Sequence, residues 1–160
     1  MVSISRQMKH KILTQLPELI ETADKSEVCY LGMSDENNQP YVLPFNFGLF
    51  ENNIYLHSAK TGRKINIMKM NPKVCVSFSS DHALRWQHED VACSYSMKYR
   101  SVLAFGKVEF IDDFDEKIKA LNVIMRKYTG KDFPFNTPAV NEVQPWRVLV
   151  EKWEGRIYGY

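Results

Sequence analysis

The sequence lacks most features that would place it outside the ordinary globular class. It has only three cysteines, Cys29, Cys75 and Cys93, an odd number with no CxxC pair among its 160 residues. Such spacing points away from a disulfide framework and towards reduced thiols in a cytoplasmic protein. No apolar run approaches the roughly 20 residues needed to cross a bilayer. The stretch from Met1 to Lys11 is polar and basic, without the apolar segment of a signal peptide. Excess charge of one sign is missing as well. Twenty-one basic residues face 19 acidic ones for a net charge of +2, with no basic block, so nucleic acid is not an expected partner. Repeats, low-complexity tracts and linkers are absent.

What is present is a soluble balance of 44% hydrophobic and 25% charged residues. The length fits a single domain spanning 1–160 with one core of its own. From Met8 to Ala23 the apolar residues recur at helical spacing, giving a helical N-terminal region over about 5–24. Pro17 divides it into two short helices and sits in the first turn of the second. Val28 to Met33 then reads as a buried strand. After the turn Asp35-Glu36-Asn37-Asn38, Pro40 to Leu49 reads as a second strand, with Pro44 marking an edge or a bulge because it cannot donate to a ladder. Ile54 to Ser58 is the third strand, and the short turns predict a meander to this point.

Lys60 to Met70 predicts a helix capped by Thr61, with Ile65 and Met68 inward. Val74 to Phe78 is the fourth strand, and Ser79 to Met97 reads as a long loop. Arg100 to Ile111 is the fifth and longest strand. A helix capped at Asp113 follows, with Ile118, Leu121, Met125 and Tyr128 inward and Gly130 as its stop. Lys131 to Pro145 reads as a second loop and Trp146 to Trp153 as the sixth strand. Six strands with few helical crossovers indicate a β-barrel with appended helices rather than a doubly wound sheet.

The segment His57-Ser58-Ala59-Lys60-Thr61-Gly62-Arg63-Lys64 joins a strand to a helix start. Unpaired N–H groups and the positive end of the helix dipole make such a start an anion site. Two hydroxyls, a glycine and nearby cations suit a phosphate monoester, while a plain solvated basic turn reads equally well. Arg100 and Ser101 reach the same phosphate if their strand neighbours the third. Around Pro44, Phe45 and Asn46 a proline break frees backbone groups for a ligand. Trp146 reads as a ring over a planar ligand or as core. His82, His88, Glu89, Asp90 and Cys93 match no standard zinc spacing.

Three stretches together resemble a known family. The first runs from Tyr30-Leu31-Gly32 through Pro40–Phe47 to Ile54–Ala59. The second is Lys60–Ile65 with Asn71-Pro72-Lys73-Val74, and the third runs from Tyr99-Arg100-Ser101-Val102 to Glu109. The chain resembles the FMN-binding split barrels related to pyridoxamine 5′-phosphate oxidase, within them the nitroimidazole-resistance, nitroreductase-like branch. The resemblance implies a six-stranded FMN-binding split barrel and a homodimer with FMN at the interface. Lys64, Ser58 and the Gly62 backbone would hold the phosphate, assisted by Arg100 and Ser101. Pro44, Phe45 and Asn46 would line the ring edge, with His57 and Ala59 close by and His57 tied to catalysis. The C-terminal residues from Trp153 lack the arginine-rich grip of the pyridoxamine phosphate oxidases, so that oxidation is not the expected activity. The activity implied is FMN-dependent reduction of a small electron-poor acceptor, nitroimidazole or nitroaromatic, with reduced nicotinamide as a candidate donor. A flavin carrier or sensor, or a haem- or deazaflavin-binding barrel, would share the fold.

Overall fold

The computed structural model describes residues 10–160, so Met8, within the predicted helical stretch, and the rest of residues 1–9 lie outside the description. The described residues form eight strands and four α-helices: β1 His10–Leu13, α1 Leu16–Asp24, β2 Cys29–Ser34, β3 Pro40–Phe45, β4 Gly48–Phe50, β5 Asn53–Ala59, α2 Arg63–Met70, β6 Lys73–Arg85, β7 Ser96–Phe110, α3 Phe114–Thr129, α4 Thr137–Glu142 and β8 Val143–Tyr158. All pair in one antiparallel sheet of order β3-β2-β6-β7-β8-β5-β4, with β1 added to β8.

The two end strands of that order, β3 and β4, are consecutive in the chain and separated only by Asn46 and Phe47. A link of two residues spans well under 10 Å, so the sheet has to roll until its ends meet. It rolls without hydrogen-bonded closure, and the fold is a split barrel. The aromatics inside report the curl. Phe45, on the end strand, meets Trp146 of β8 edge-on at 5.5 Å, and Phe47 meets Phe78 of β6 at 4.9 Å. Trp146, Phe47, Phe78, Leu31, Ile54, Leu56, Val76, Val102 and Val148 are fully buried there. Each such side chain contributes about 1.5–3 kcal/mol relative to exposure.

Several expectations require correction. The first of the two short helices is not formed, because His10–Leu13 pairs with Gly155–Tyr158 as β1. The second forms, with proline in its first turn. Pro40 to Leu49 is two strands broken at Asn46 and Phe47, and together with β1 this raises six strands to eight. Pro44 lies on the end strand β3, where a missing donor costs least. The topology is not a meander, since β2 neighbours β6 and β5 neighbours β8. Ser79 to Met97 is the far half of a hairpin rather than one long loop: Ser79 to Arg85 complete β6, Ser96 and Met97 open β7, and residues 86–95 form the loop between them. A bulge between Ser80 and Ala83, with Asp81 at φ 54°, hid its period of two. Lys131 to Pro145 contains α4, which Asn136 caps by accepting from the Ala139 N–H at 2.9 Å.

Asp113 and Gly130 bound α3 as predicted; the Asp113 carboxylate accepts from the Glu116 N–H at 3.0 Å. The buried stripe of α3 differs, running through Lys117, Ala120, Leu121 and Ile124. Tyr128 keeps its ring exposed and ties its tip down instead. Its hydroxyl donates to the Glu27 carbonyl at 2.7 Å and accepts from the Phe47 N–H at 3.2 Å. Among the described residues no helix is long and apolar enough to cross a membrane.

Candidate functional site

β5 ends at Ala59, and after three intervening residues α2 begins with Arg63. Gly62 occupies the N-cap at φ 123°, in the region that side chains with a Cβ rarely adopt. Thr61 therefore does not cap the helix, and no side chain does. The first intrahelical bond is Asn66 N–H to the Gly62 carbonyl, which leaves the amides of residues 63–65 without partners inside the helix. Lys64 folds back, its Nζ 4.0 Å from the position a Gly62 Cβ would take. Arg63 is committed elsewhere, 3.9 Å from the Asp35 carboxylate and over the Tyr41 ring at 4.5 Å. Among the described residues neither Lys60 nor Lys64 has a carboxylate partner. Ser58 spends its hydroxyl proton on the Ala59 carbonyl at 2.8 Å, so its oxygen remains an acceptor in this arrangement.

The start of β8 runs beside this strand end, with His57 opposite Pro145, Ser58 opposite Gln144 and Ala59 opposite Val143. His57 lies on the same face of β5 as Tyr55, which packs beneath α3 against Ala120, Val123 and Ile124. Burial holds the imidazole below its usual value of 6.5, and its Nδ1 has no hydrogen-bond partner among the described residues. Near neutral pH the ring is uncharged. On the opposite face, Leu56 pairs with Trp146, and Trp146 touches Phe45 and Phe110. Trp146 is fully buried, which is the core alternative for that residue. Pro44 and Asn46 are exposed at the seam of the split, either side of half-buried Phe45.

The structure thus gathers His57, Ser58, Ala59, Gly62 and Lys64 on one strand-to-helix segment, while Phe45 packs on Trp146 at the opposite face of β5. It does not bring Arg100 and Ser101 to them within one chain. Their strand, β7, is separated from β5 by β8, where Ser101 pairs with Arg156, twelve residues along from the Ser58 partner Gln144. Arg100 instead forms an ion pair with Asp81 at 2.7 Å under the Tyr160 ring. On the hairpin arm, His82 Nε2 lies 2.6 Å from Ser79 Oγ. Among the described residues no three His, Cys, Asp or Glu side chains gather in a metal-binding group. Cys29 is buried and its thiol pushed up to about 12 by desolvation, which removes it as a nucleophile.

Sequence reasoning missed two features nearby. A cavity of about 440 Å³ opens beside α3, lined by Tyr55, Glu109, Arg147 and Val123 among others. The Arg147 guanidinium in it donates to Glu109 at 2.8 Å. Lys117, an inward-facing lysine on α3, is buried and donates to the Val143 carbonyl at 3.1 Å. Helical phase marks Lys117 as one turn before Leu121, which was the available signal.

A rolled antiparallel sheet whose end strands meet without closing defines the class: split-barrel proteins. The profile of the pyridoxamine 5′-phosphate oxidase family matches residues 16–157, and the chain belongs to that family. Among solved structures it is similar to one from Bacteroides thetaiotaomicron VPI-5482, named as a candidate 5-nitroimidazole antibiotic resistance protein. Identity to it is 39%, covering 94% of this chain and 89% of that one, with a TM-score of 0.84. A FAD and heme binding protein from Mycobacterium smegmatis shares the fold at 15% identity, 94% and 74% coverage and a TM-score of 0.81. A FAD-binding protein from Mesorhizobium loti does so at 24% identity, 94% and 99% coverage and a TM-score of 0.67. Comparison with curated proteins finds no match.

Proposed function

We propose that this chain is an FMN-binding flavoprotein, acting as a homodimer, that passes electrons to a small electron-poor acceptor of the nitroimidazole or nitroaromatic type. The observation that carries it is the turn at Gly62: unpartnered helix amides, a glycine held at φ 123° and Lys64 folded over it without a carboxylate. Those groups fit a phosphate monoester, which FMN carries, because amides and an ammonium both donate to its oxygens. The family and the 39% identical relative named for nitroimidazole resistance support the cofactor and acceptor class. Bound flavin would supply the redox chemistry, and the protein would bind and orient it. Pro44, Phe45 and Asn46, at the seam, and Ala59 would border its ring system, and Arg100 and Ser101 would reach it from a second copy.

His57 supplies the observation behind a second reading. A half-buried imidazole held below 6.5 is a poor proton donor at neutral pH, which suits a flavin carrier or sensor as well as an enzyme. As an enzyme residue His57 would accept or share a hydrogen bond, since burial disfavours its charged form.

The test is a visible-spectrum titration of the purified protein with FMN, repeated with Lys64→Ala. Bands near ~450 nm that saturate stoichiometrically, with roughly tenfold weaker binding in the variant, are expected. Absence of flavin binding by the wild type overturns the assignment, and a Soret band would move it to haem. Turnover with reduced nicotinamide and a nitroaromatic then separates enzyme from carrier.

A further inference from the structure

The outer face of the sheet is covered unevenly. Over β5 it lies beneath α3, where Tyr55 packs on Ala120, Val123 and Ile124. α1 and α2 send their buried residues into the barrel core, and among the described residues no helix lies over the outer face of β6 and β7. A sheet face turned to water normally carries polar and charged residues. Val102 and Ala104 point into the core, so the alternate residues Tyr95, Met97, Tyr99, Ser101, Leu103 and Phe105 take the outer face, and none is charged. Opposite them on β6 stand Cys75, Ser77 and Ser79, again without charge. The first charges on this face are Lys73 and Lys107, a cross-strand pair at its far end.

Beyond the bulge between Ser80 and Ala83 the same face continues onto the hairpin arm. Leu84 is directly opposite Met97, and two residues further out Trp86 stacks on Tyr95 at 5.6 Å. Leu84, Trp86 and Met97 are 56%, 52% and 46% exposed, a cluster of apolar side chains standing in water. At the base of the arm Tyr99 stacks on Tyr158 at 5.8 Å. Beside that stack a cavity of about 660 Å³ opens, lined by Ile12, Tyr99, Ser101, Leu103 and Arg156 among others. An apolar projection and a largely apolar hollow thus share one face. From Phe105 to Tyr95 and across four strands the patch measures about 35 Å by 20 Å, on the order of 600 Å². A standard interface takes about 800 Å² from each partner, and about 1,000 Å² in total is the lower bound for a specific one.

We infer that this face is the contact surface between two copies of the chain related by a two-fold axis, the arm of each copy lying in the hollow of the other. A projection and a hollow on one surface are what a self-complementary contact requires, because each copy then offers the other both halves. The centre is uncharged and aromatic-rich, the composition of an interface core, and it sets up no self-repulsion. The rim on β8 carries one charge of each sign, Glu154 opposite Leu103 and Arg156 opposite Ser101. Arg156 has no carboxylate partner among the described residues, and a two-fold contact offers it the Glu154 of the second copy. The inference rests on the homodimer of the reading above and names the surface that forms it.

The experiment measures mass by sedimentation through a dilution series. It compares wild type, the arm variant Leu84→Glu with Met97→Glu, the hollow variant Leu103→Glu, and Phe114→Glu, an exposed apolar residue at the start of α3. Wild type should be a dimer. Both face variants should raise its dissociation constant about 100-fold or more, because each buries an unpaired carboxylate in an apolar contact. Phe114→Glu should stay within about threefold of wild type. Circular dichroism shows whether each variant is folded. If the face variants fail to fold, hydroxyl-radical oxidation of Trp86 and Met97 in wild type carries the test, with both protected in the dimer and exposed on dilution. A wild-type dimer that both face variants leave intact, or whose Trp86 and Met97 react equally at every dilution, overturns the inference and leaves the homodimer to another face. Monomeric wild type that sediments with phosphatidylglycerol vesicles assigns the face to a membrane and overturns it as well. Wild type that is monomeric at every concentration without lipid sinks the homodimer reading itself, a result distinct from a dimer indifferent to the variants.

Discussion

A single backbone torsion carries much of the candidate site. Gly62 at φ 123° lets the chain leave β5 and enter α2 with its first amides facing outward. Gly62→Ala would make only an ordinary contact with the Lys64 Nζ at 4.0 Å but would hold a strained torsion, at about 1–3 kcal/mol. Urea unfolding should show that loss as a lower midpoint with an unchanged slope. His57 makes a second residue-level prediction. Its folded pKa lies below 6.5, so between the two values the unfolded chain binds more protons than the folded one. Stability then rises with pH through that window and is lost as pH falls below about 6.5. Wild type should therefore lose more melting temperature between pH 7.5 and 5.5 than His57→Gln; equal losses would argue that the ring is solvated.

At the level of elements, α3 is the clamp over β5. Its start depends on the Asp113 carboxylate, and Asp113→Ala should cost about 1 kcal/mol in chemical denaturation, the usual worth of an N-cap. Its seat depends on Gly48 of β4. A Cβ there would stand 2.5 Å from the Val123 carbonyl oxygen, backbone that cannot step aside without moving the helix. Gly48→Ala should thus destabilise by more than the cap loss, and an unchanged denaturation midpoint would contradict this packing. The far end of α3 is held by Lys127, which donates to the Asp24 carbonyl and lies over the Phe47 ring. These contacts join the helix to the C-terminal end of α1 and to the two-residue link that forces the sheet to roll. The clamp and the roll are one assembly, and the cavity beside Tyr55 and Arg147 is the space left between them.

On the scale of the whole molecule, the separation of Arg100 and Ser101 from the Gly62 turn bears on assembly. If both regions serve one phosphate, two chains are required. Light scattering after size exclusion should then give twice the chain mass, and FMN affinity should fall when the protein is diluted through the dimer's dissociation range. A monomer that binds FMN with concentration-independent affinity would remove Arg100 and Ser101 from the site. The hairpin arm between β6 and β7 exposes Leu84, Trp86, Val91, Tyr95 and Met97, with Trp86 stacked on Tyr95 at 5.6 Å. Isolated hairpins are marginal in water, so that stack contributes to keeping the arm formed.

The sequence by itself determined the local choices, because they depend on near neighbours. Alternating apolar residues set β2, β5 and the middle of β7, and Asp113 and Gly130 set the limits of α3. The strand-to-helix turn with its glycine and lysine was legible in the sequence as a basic helix start suited to a phosphate, the feature on which the proposed cofactor site rests. Tertiary structure decided what depends on distant partners. His10–Leu13 has helical spacing but pairs with Gly155–Tyr158, because a strand on β8 satisfies its backbone where a short helix could not be stabilised locally. The break at Asn46 and Phe47 became the seam of the barrel only because β3 and β4 fell at opposite ends of the sheet. Lys117 looks like one more charge on a helix until Val143 arrives 26 residues later to bury it. Burial and long-range pairing are properties of the folded chain, and no window of sequence contains them.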